Sequence, residues 1–132
     1  HIDEYASTLL TSRSEKVIFA GRRSGSELHA LFKYAQVFVL PSYHEGLPIV
    51  ALEAISAGTP VLLSDIPPNK DIEAKSDSYF PVGDTDKLSN KLNNLTSLDL
   101  NLNQQSFLSR FDWGNIAETT ESIAELIVQA KK

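Results

Sequence analysis

The sequence predicts an α/β fold in which a parallel sheet of about four strands is covered by helices. Short apolar blocks at residues 17–20, 37–40 and 61–63, with a shorter one at 78–82, alternate with stretches of helical period, the pattern of a sheet packed under helices. The block Val37-Phe38-Val39-Leu40 is continuously apolar, rich in β-branched and aromatic residues, and stopped by Pro41-Ser42. It therefore reads as a buried parallel strand ending in a turn.

The elements follow in order. Residues 3–13 read as a helix, and Val17, Ile18, Phe19 and Ala20 as a buried strand. Ser24 with Glu27 makes a capping box, and Leu28, Leu31, Phe32 and Ala35 give the apolar stripe of the next helix. After the strand at 37–40, a helix over 48–57 begins with Pro48, which suits the first helical position. Gly58 closes it in a left-handed conformation before Thr59-Pro60 forces extended chain. Val61-Leu62-Leu63 is a third strand and 78–82 a fourth. Asp84 or Thr85 caps a helix carrying Leu88, Leu92 and Leu95, and the Asn- and Gln-rich residues 101–106 are partly helical. Asp112 caps a last amphipathic helix, with Ile116, Ile123, Ile127, Ala117, Ala124 and Val128 on one side. Repeats, low-complexity segments and linkers are absent, so residues 1–132 form one unit.

Glu53 is the anomaly in this pattern. Its helix is apolar nearly all round, with only Glu53 and Ser56 polar, as expected of a helix packed between other layers. The neighbours Ile49, Val50 and Ala57 predict a buried stripe around Glu53. Burying an unpaired carboxylate costs several kcal/mol, which a ligand hydroxyl can offset. Helical side chains lean toward the N-terminus, so Glu53, about 7.5 Å along the axis from Pro48, reaches back toward the loop carrying Glu45. Both carboxylates are then expected to face one crevice at the carboxyl end of a strand, where open α/β sheets bind ligands. The amides of Gly46, Leu47 and Ile49, with the positive end of the helix dipole, favour an anion such as phosphate there. Pro48 has no N–H to give. The plainer alternatives are a Glu53 that snorkels to solvent or pairs with a cation, a solvated Glu45, and a His44 that is simply a loop side chain.

The stretch Pro41-Ser42-x-x-Glu45-Gly46, Glu53-Ala54, Ala57-Gly58-x-Pro60-Val61 resembles the E-x7-E block of retaining nucleotide-sugar glycosyltransferases, family 4 in particular. The resemblance runs from Val17-Ile18-Phe19-Ala20-Gly21 through Ser64-Asp65-Ile66-Pro67 to Phe111-Asp112-Trp113, most of the chain. It implies the C-terminal, donor-binding half of a GT-B enzyme, here a truncated Rossmann-like half. The activity implied is hexosyl transfer from a UDP-, GDP- or ADP-sugar with retention at the anomeric carbon, without cofactor or bound metal, in polysaccharide or glycoconjugate biosynthesis. By the same resemblance Glu45 is the catalytic residue, contacting the donor sugar's hydroxyls and steadying developing positive charge. Glu53 takes the ribose hydroxyls, and the amides of Gly46 and Leu47 serve the sugar and diphosphate. Pro48 stands where many relatives have Gly. Gly21, Arg22 and Arg23 occupy the loop near the nucleotide base; a solvated loop is the plain alternative for the Arg pair.

Relatives also carry two earlier βα units, an Arg and a Lys that neutralise the diphosphate, and an N-terminal domain that binds a glycan or lipid-linked acceptor. The chain resembles none of these, so it is expected to be a fragment that is inactive alone. If the family strand order 3-2-1-4-5-6 holds, the chain supplies strands 3 to 6. Residues 17–20 are then expected to re-pair beside 37–40, or the fragment to self-associate through that exposed edge.

Composition sets the outer bounds. A chain of 132 residues, 42% hydrophobic and 22% charged, suffices for one globular core. Its net charge of −5 argues against nucleic acid as a partner. Zero cysteines fit a reducing cytoplasm; the full-length glycosyltransferase that the resemblance implies is expected there, at the inner face of the membrane. His1, His29 and His44 show no metal-ligand spacing. Two other classes compete with the transferase reading: a non-catalytic nucleotide- or sugar-binding module, and an interaction domain on a Rossmann-like fold.

Overall fold

A computed structural model describes residues 4–11, 14–100, 102 and 104–130. Among them three strands form the sheet, β1 (Phe38–Leu40), β2 (Val61–Ser64) and β3 (Tyr79–Phe80), where the sequence predicts about four. All pair in parallel in the order β1-β2-β3, with Val39 opposite Leu62 and Leu63 opposite Tyr79. The helices are α1 (Glu4–Thr11), α2 (Gly25–Tyr34), α3 (Ile49–Ser56), α4 (Pro67–Lys70), α5 (Thr85–Asn93), α6 (Gln104–Arg110) and α7 (Trp113–Ala130). The result is an α/β fold with a parallel sheet flanked by helices, as the sequence predicts.

Strand side chains alternate between faces, so each apolar block feeds two cores. Phe38, Leu40, Val61, Leu63 and Tyr79 point to one side, where Phe32 of α2, Ala51, Ala54 and Ile55 of α3, and Phe107 of α6 cover them. Val39, Leu62 and Phe80 point to the other, where Leu88, Leu95, Leu98 and Leu100 pack. The fully buried Ala51 and Ala54 let α3 lie close on the sheet.

Termini are set by local chemistry. Gly58 has φ +81° and its N–H donates to the Ile55 carbonyl, while the Thr59 N–H donates to Ala54. These two bonds are a Schellman cap, and they close α3 where Gly58 predicts. Asp84 caps α5 by accepting from the Lys87 N–H at 2.8 Å. Asp112 likewise accepts from the Asn115 N–H at 3.1 Å at the start of α7. The Thr59 hydroxyl donates to the Phe32 carbonyl at 2.7 Å, tying the end of α2 to the entry of β2.

Several expectations are corrected. Residues 17–20 form no strand: Ile18 is 88% exposed, and the Val17 N–H donates to the Ser14 carbonyl in a turn. An apolar block becomes a strand only beside an edge that completes its ladder, and among the described residues the partner of β1 in the sheet is β2. The expected re-pairing with 37–40 is therefore absent. Ser24 precedes α2 in extended conformation but makes no side-chain cap bond, and the Glu27 carboxylate lies 3.7 Å from Arg23. The fourth block shortens to Tyr79–Phe80: Ser76–Ser78 is a 3-10 turn, and Pro81 has no N–H to extend the ladder. α5 stops at Asn93, leaving Leu95 in a 3-10 turn. The side of α7 carrying Ile116, Ile123, Ile127 and Val128 is exposed rather than packed. Of the helix expected over 3–13, residues 3, 12 and 13 lie outside the described residues, as do 101 and 103 of the segment 101–106.

Candidate functional site

The loop between β1 and α3 leaves the carboxyl end of the sheet and is held from below. Ser64, the fully buried last residue of β2, donates its hydroxyl to the Ser42 carbonyl at 2.5 Å. Asn69 of α4, also fully buried, donates its amide to the Ser64 carbonyl at 2.9 Å and the Ser64 hydroxyl oxygen at 3.0 Å. The Ser42 hydroxyl in turn donates to Glu45 Oε1 at 2.6 Å. Glu45 is half-buried. It is thus a fixed carboxylate rather than the freely solvated loop residue of the plainer reading.

The start of α3 departs from expectation at one amide. Pro48 has φ −77° and ψ 68°, the centre of an inverse γ-turn, and the Ile49 N–H closes that turn on the Leu47 carbonyl at 2.8 Å. Ile49 is therefore not a free donor. Beyond Val50, the amides of Ala51 and Leu52 both donate to the Pro48 carbonyl. Gly46, Leu47 and Val50 are left as the backbone N–H groups at this helix start that no described residue accepts. Gly46 and Leu47 are exposed, while the Pro48 ring is buried beneath them.

Nothing in the chain itself requires glycine at 46. A Cβ there would meet no atom within 4 Å, and the residue is not in the left-handed region. Gly46→Ala is accordingly expected to leave stability unchanged or raised by at most about 1 kcal/mol. Thermal melting checks this.

Glu53 is exposed, contrary to the buried stripe predicted for it. The physical reason is that α3 rests on the sheet through Ala51, Ala54 and Ile55, so Ile49, Glu53 and Ser56 fall on the opposite side and stay exposed. That side is bordered by α2: a cavity of about 120 Å³ is lined by Glu53 and Ser56 with Leu28, His29 and Phe32. Glu45 does not line this cavity, so the two carboxylates do not share it. Gly21, Arg22 and Arg23 lie together on an exposed turn, with Gly21 at φ +68°. Among the described residues no three His, Cys, Asp or Glu side chains group as a metal site, and no helix is long and apolar enough to cross a membrane.

Strand, loop and helix thus place the Glu45-to-Glu53 stretch at the carboxyl end of a parallel sheet. Residues 6–119 match the family profile of glycosyl transferases group 1. The chain belongs to that family. Among its curated relatives, the GDP-mannose:cellobiosyl-diphosphopolyprenol alpha-mannosyltransferase of Xanthomonas oryzae is 33% identical over 111 residues, covering 77% of this chain and 29% of that protein. The O-antigen chain mannosyltransferase RfbU of Salmonella typhimurium is 29% identical over 79% of this chain and 30% of its own length. The sulfoquinovosyl transferase SQD2 of Arabidopsis thaliana is 38% identical over 59% of this chain and 16% of its own. The chain therefore spans less than a third of the length of these relatives. No solved structure gives a significant match.

Sequence reasoning missed two features of this group 1 chain. Ser42 and Ser64 stand within the quoted motifs, but nothing in their spacing signals that one anchors the other across 22 residues. Asn69 carries no motif at all. Its signal is chemical: it is a fully buried amide in a one-turn helix, and such a group needs partners. Tyr79 Oη donates to the Asn69 carbonyl at 3.2 Å and accepts from the Ala74 N–H at 2.9 Å. Burial pushes the Tyr79 phenol pKa up, and the Ala74 hydrogen bond opposes that shift. The phenol is therefore protonated at neutral pH and remains a donor.

Proposed function

We propose that the chain is the donor-binding half of a retaining, family 4 type GT-B glycosyltransferase, acting on a nucleoside-diphosphate sugar. Family membership supports glycosyl transfer. The observation that carries the donor assignment is the loop itself, with a held carboxylate at Glu45 and unaccepted amides at Gly46, Leu47 and Val50. An anion at those amides also gains from the positive end of the α3 dipole.

In this reading the donor diphosphate lies against the Gly46 and Leu47 amides, and its sugar faces Glu45. The nucleoside diphosphate leaves from the front face and an acceptor hydroxyl attacks from that same side. Rate enhancement comes from positioning and from the Glu45 charge opposite the developing cation. Glu53, on the α2 side of α3, takes the ribose hydroxyls, with Gly21, Arg22 and Arg23 near the base. No metal or cofactor is needed. GDP-mannose is the first donor to try, because the printed name of the Xanthomonas oryzae relative contains it. The same name supports a lipid-linked glycan as acceptor, met at the inner face of the cytoplasmic membrane through a further domain.

The cations that the resemblance places upstream are not supplied by this chain, so the 132 residues alone are expected to show no turnover. The outer edge of β1, unpaired among the described residues, supports self-association of the isolated chain. Incubating the full-length protein with a polyprenyl-diphosphate-linked glycan as acceptor and GDP-mannose, UDP-glucose, UDP-galactose or ADP-glucose as donor, and following nucleoside diphosphate release, tests the proposal. Release from one of them is expected. Release from none, by protein that is folded, would overturn it.

A further inference from the structure

We propose that Ser42, Ser64 and Asn69 are positioning residues that hold one oxygen of Glu45 and leave the other to the donor sugar. The inference rests on the reading of Glu45 as the donor-sugar carboxylate and adds what aims it. Three side chains from three elements meet here: Ser42 follows β1, Ser64 ends β2, and Asn69 lies in α4. Their hydrogen bonds run in one direction only. The Ser64 carbonyl can only accept, so the group of Asn69 facing it is the amide nitrogen, at 2.9 Å. That nitrogen also reaches the Ser64 hydroxyl oxygen at 3.0 Å, so the single Ser64 proton is directed elsewhere, to the Ser42 carbonyl at 2.5 Å. The Ser42 proton goes to Glu45 Oε1 at 2.6 Å. Neither the Ser42 nor the Ser64 hydroxyl has a second orientation that keeps all its partners.

Two further observations separate this from ordinary loop anchoring. First, a loop tied down through the Ser42 backbone does not need the Ser42 hydroxyl to meet a carboxylate; that contact acts on Glu45 alone. Second, Asn69 keeps its place although its Oδ1 is buried without a hydrogen-bond partner among the described residues. Its amide nitrogen, by contrast, meets two acceptors, the Ser64 carbonyl and the Ser64 hydroxyl oxygen. Its nitrogen is what the site uses, and Tyr79 holds the Asn69 backbone from behind. Glu45 Oε2 is engaged by no described residue, which leaves it as the oxygen that faces the donor.

The test is a set of variants in the full-length protein, assayed with the fastest donor of the panel. Ser42→Ala, Ser42→Thr and Ser64→Ala are each made alone and with Glu45→Ala. Ser42→Ala is expected to lower kcat by about tenfold or more, as loss of a charge-assisted hydrogen bond does, with KM within about twofold. Ser42→Thr keeps the hydroxyl and is expected to restore most of the rate. Beside Glu45→Ala, Ser42→Ala is expected to have no further effect, because the group it aims is gone. Equal losses in both backgrounds, a loss confined to KM, or full activity of Ser42→Ala beside a crippled Glu45→Ala would each overturn the inference. Wild-type turnover by Glu45→Ala alone would instead overturn the underlying reading of Glu45. Should Ser64→Ala fail to fold, as melting would show, the Ser42 pair decides.

Discussion

Replacing Glu45 by Gln in the full-length protein is expected to lower kcat for donor turnover by about 10²–10³-fold, the loss seen when one preorganised electrostatic contact to a transition state is removed. The substitution keeps the side chain's shape and an oxygen that can accept from Ser42, whose bond to Oε1 is 2.6 Å long. What it removes is charge. A half-buried carboxylate beside a departing diphosphate acts most on the transition state, where the sugar becomes cationic, and less on the bound ground state. The loss is therefore expected in kcat, with KM close to the wild-type value. Melting of the variant should match the parent, since no core residue changes. A Glu45→Gln protein with wild-type kcat would remove Glu45 from the catalytic role.

Glu53→Gln is expected to act differently, raising KM for the donor by about 10- to 100-fold, as hydrogen bonds to a charged group are worth roughly 1.5–3 kcal/mol each. Ribose hydroxyls are far from the bond that breaks, so they interact alike in ground and transition states, and kcat should change little. Because Glu53 is exposed on the open side of α3, the change should alter folding stability by less than about 0.5 kcal/mol. The contrast between the two carboxylates is the informative result: one reads out in kcat and the other in KM. Unchanged transfer and unchanged KM for Glu53→Gln would leave that residue as a surface carboxylate lining a small cavity with His29.

Much of the fold was legible because its signals are local. Strand identity at Phe38–Leu40 and Val61–Ser64 follows from short apolar blocks, and the end of α3 follows from Gly58, whose φ of +81° is cheap only for glycine. The misses share a cause as well. Residues 17–20 have strand composition, but a strand is a pairing, and composition does not say whether an edge is in reach. Glu53 sits in a helix apolar on nearly every side; burial depends on how many layers cover it, and sequence does not count layers. Ser24 and Glu27 have the spacing of a capping box, yet Ser24 makes no side-chain cap bond, and spacing alone does not report the left-handed backbone of Gly25 that follows it, φ +58°. At Pro48 sequence identified the missing N–H but not the γ-turn that consumes the Ile49 N–H. Within the candidate site the Glu45 loop carries a motif that marks it in the sequence. The bonds that hold it were not, since Ser42, Ser64 and Asn69 meet only through tertiary structure.

The central claim is that the stretch from Glu45 to Glu53 receives the donor's diphosphate and ribose. Backbone amide NMR of the 132-residue chain, titrated with GDP, UDP and ADP to millimolar concentration, addresses it directly. Progressive shifts of the Gly46, Leu47 and Val50 amides with one of the nucleotides, reduced by Glu53→Gln, are the expected result. Shifts confined to other parts of the fold, with those three amides unmoved at saturation, would contradict the account.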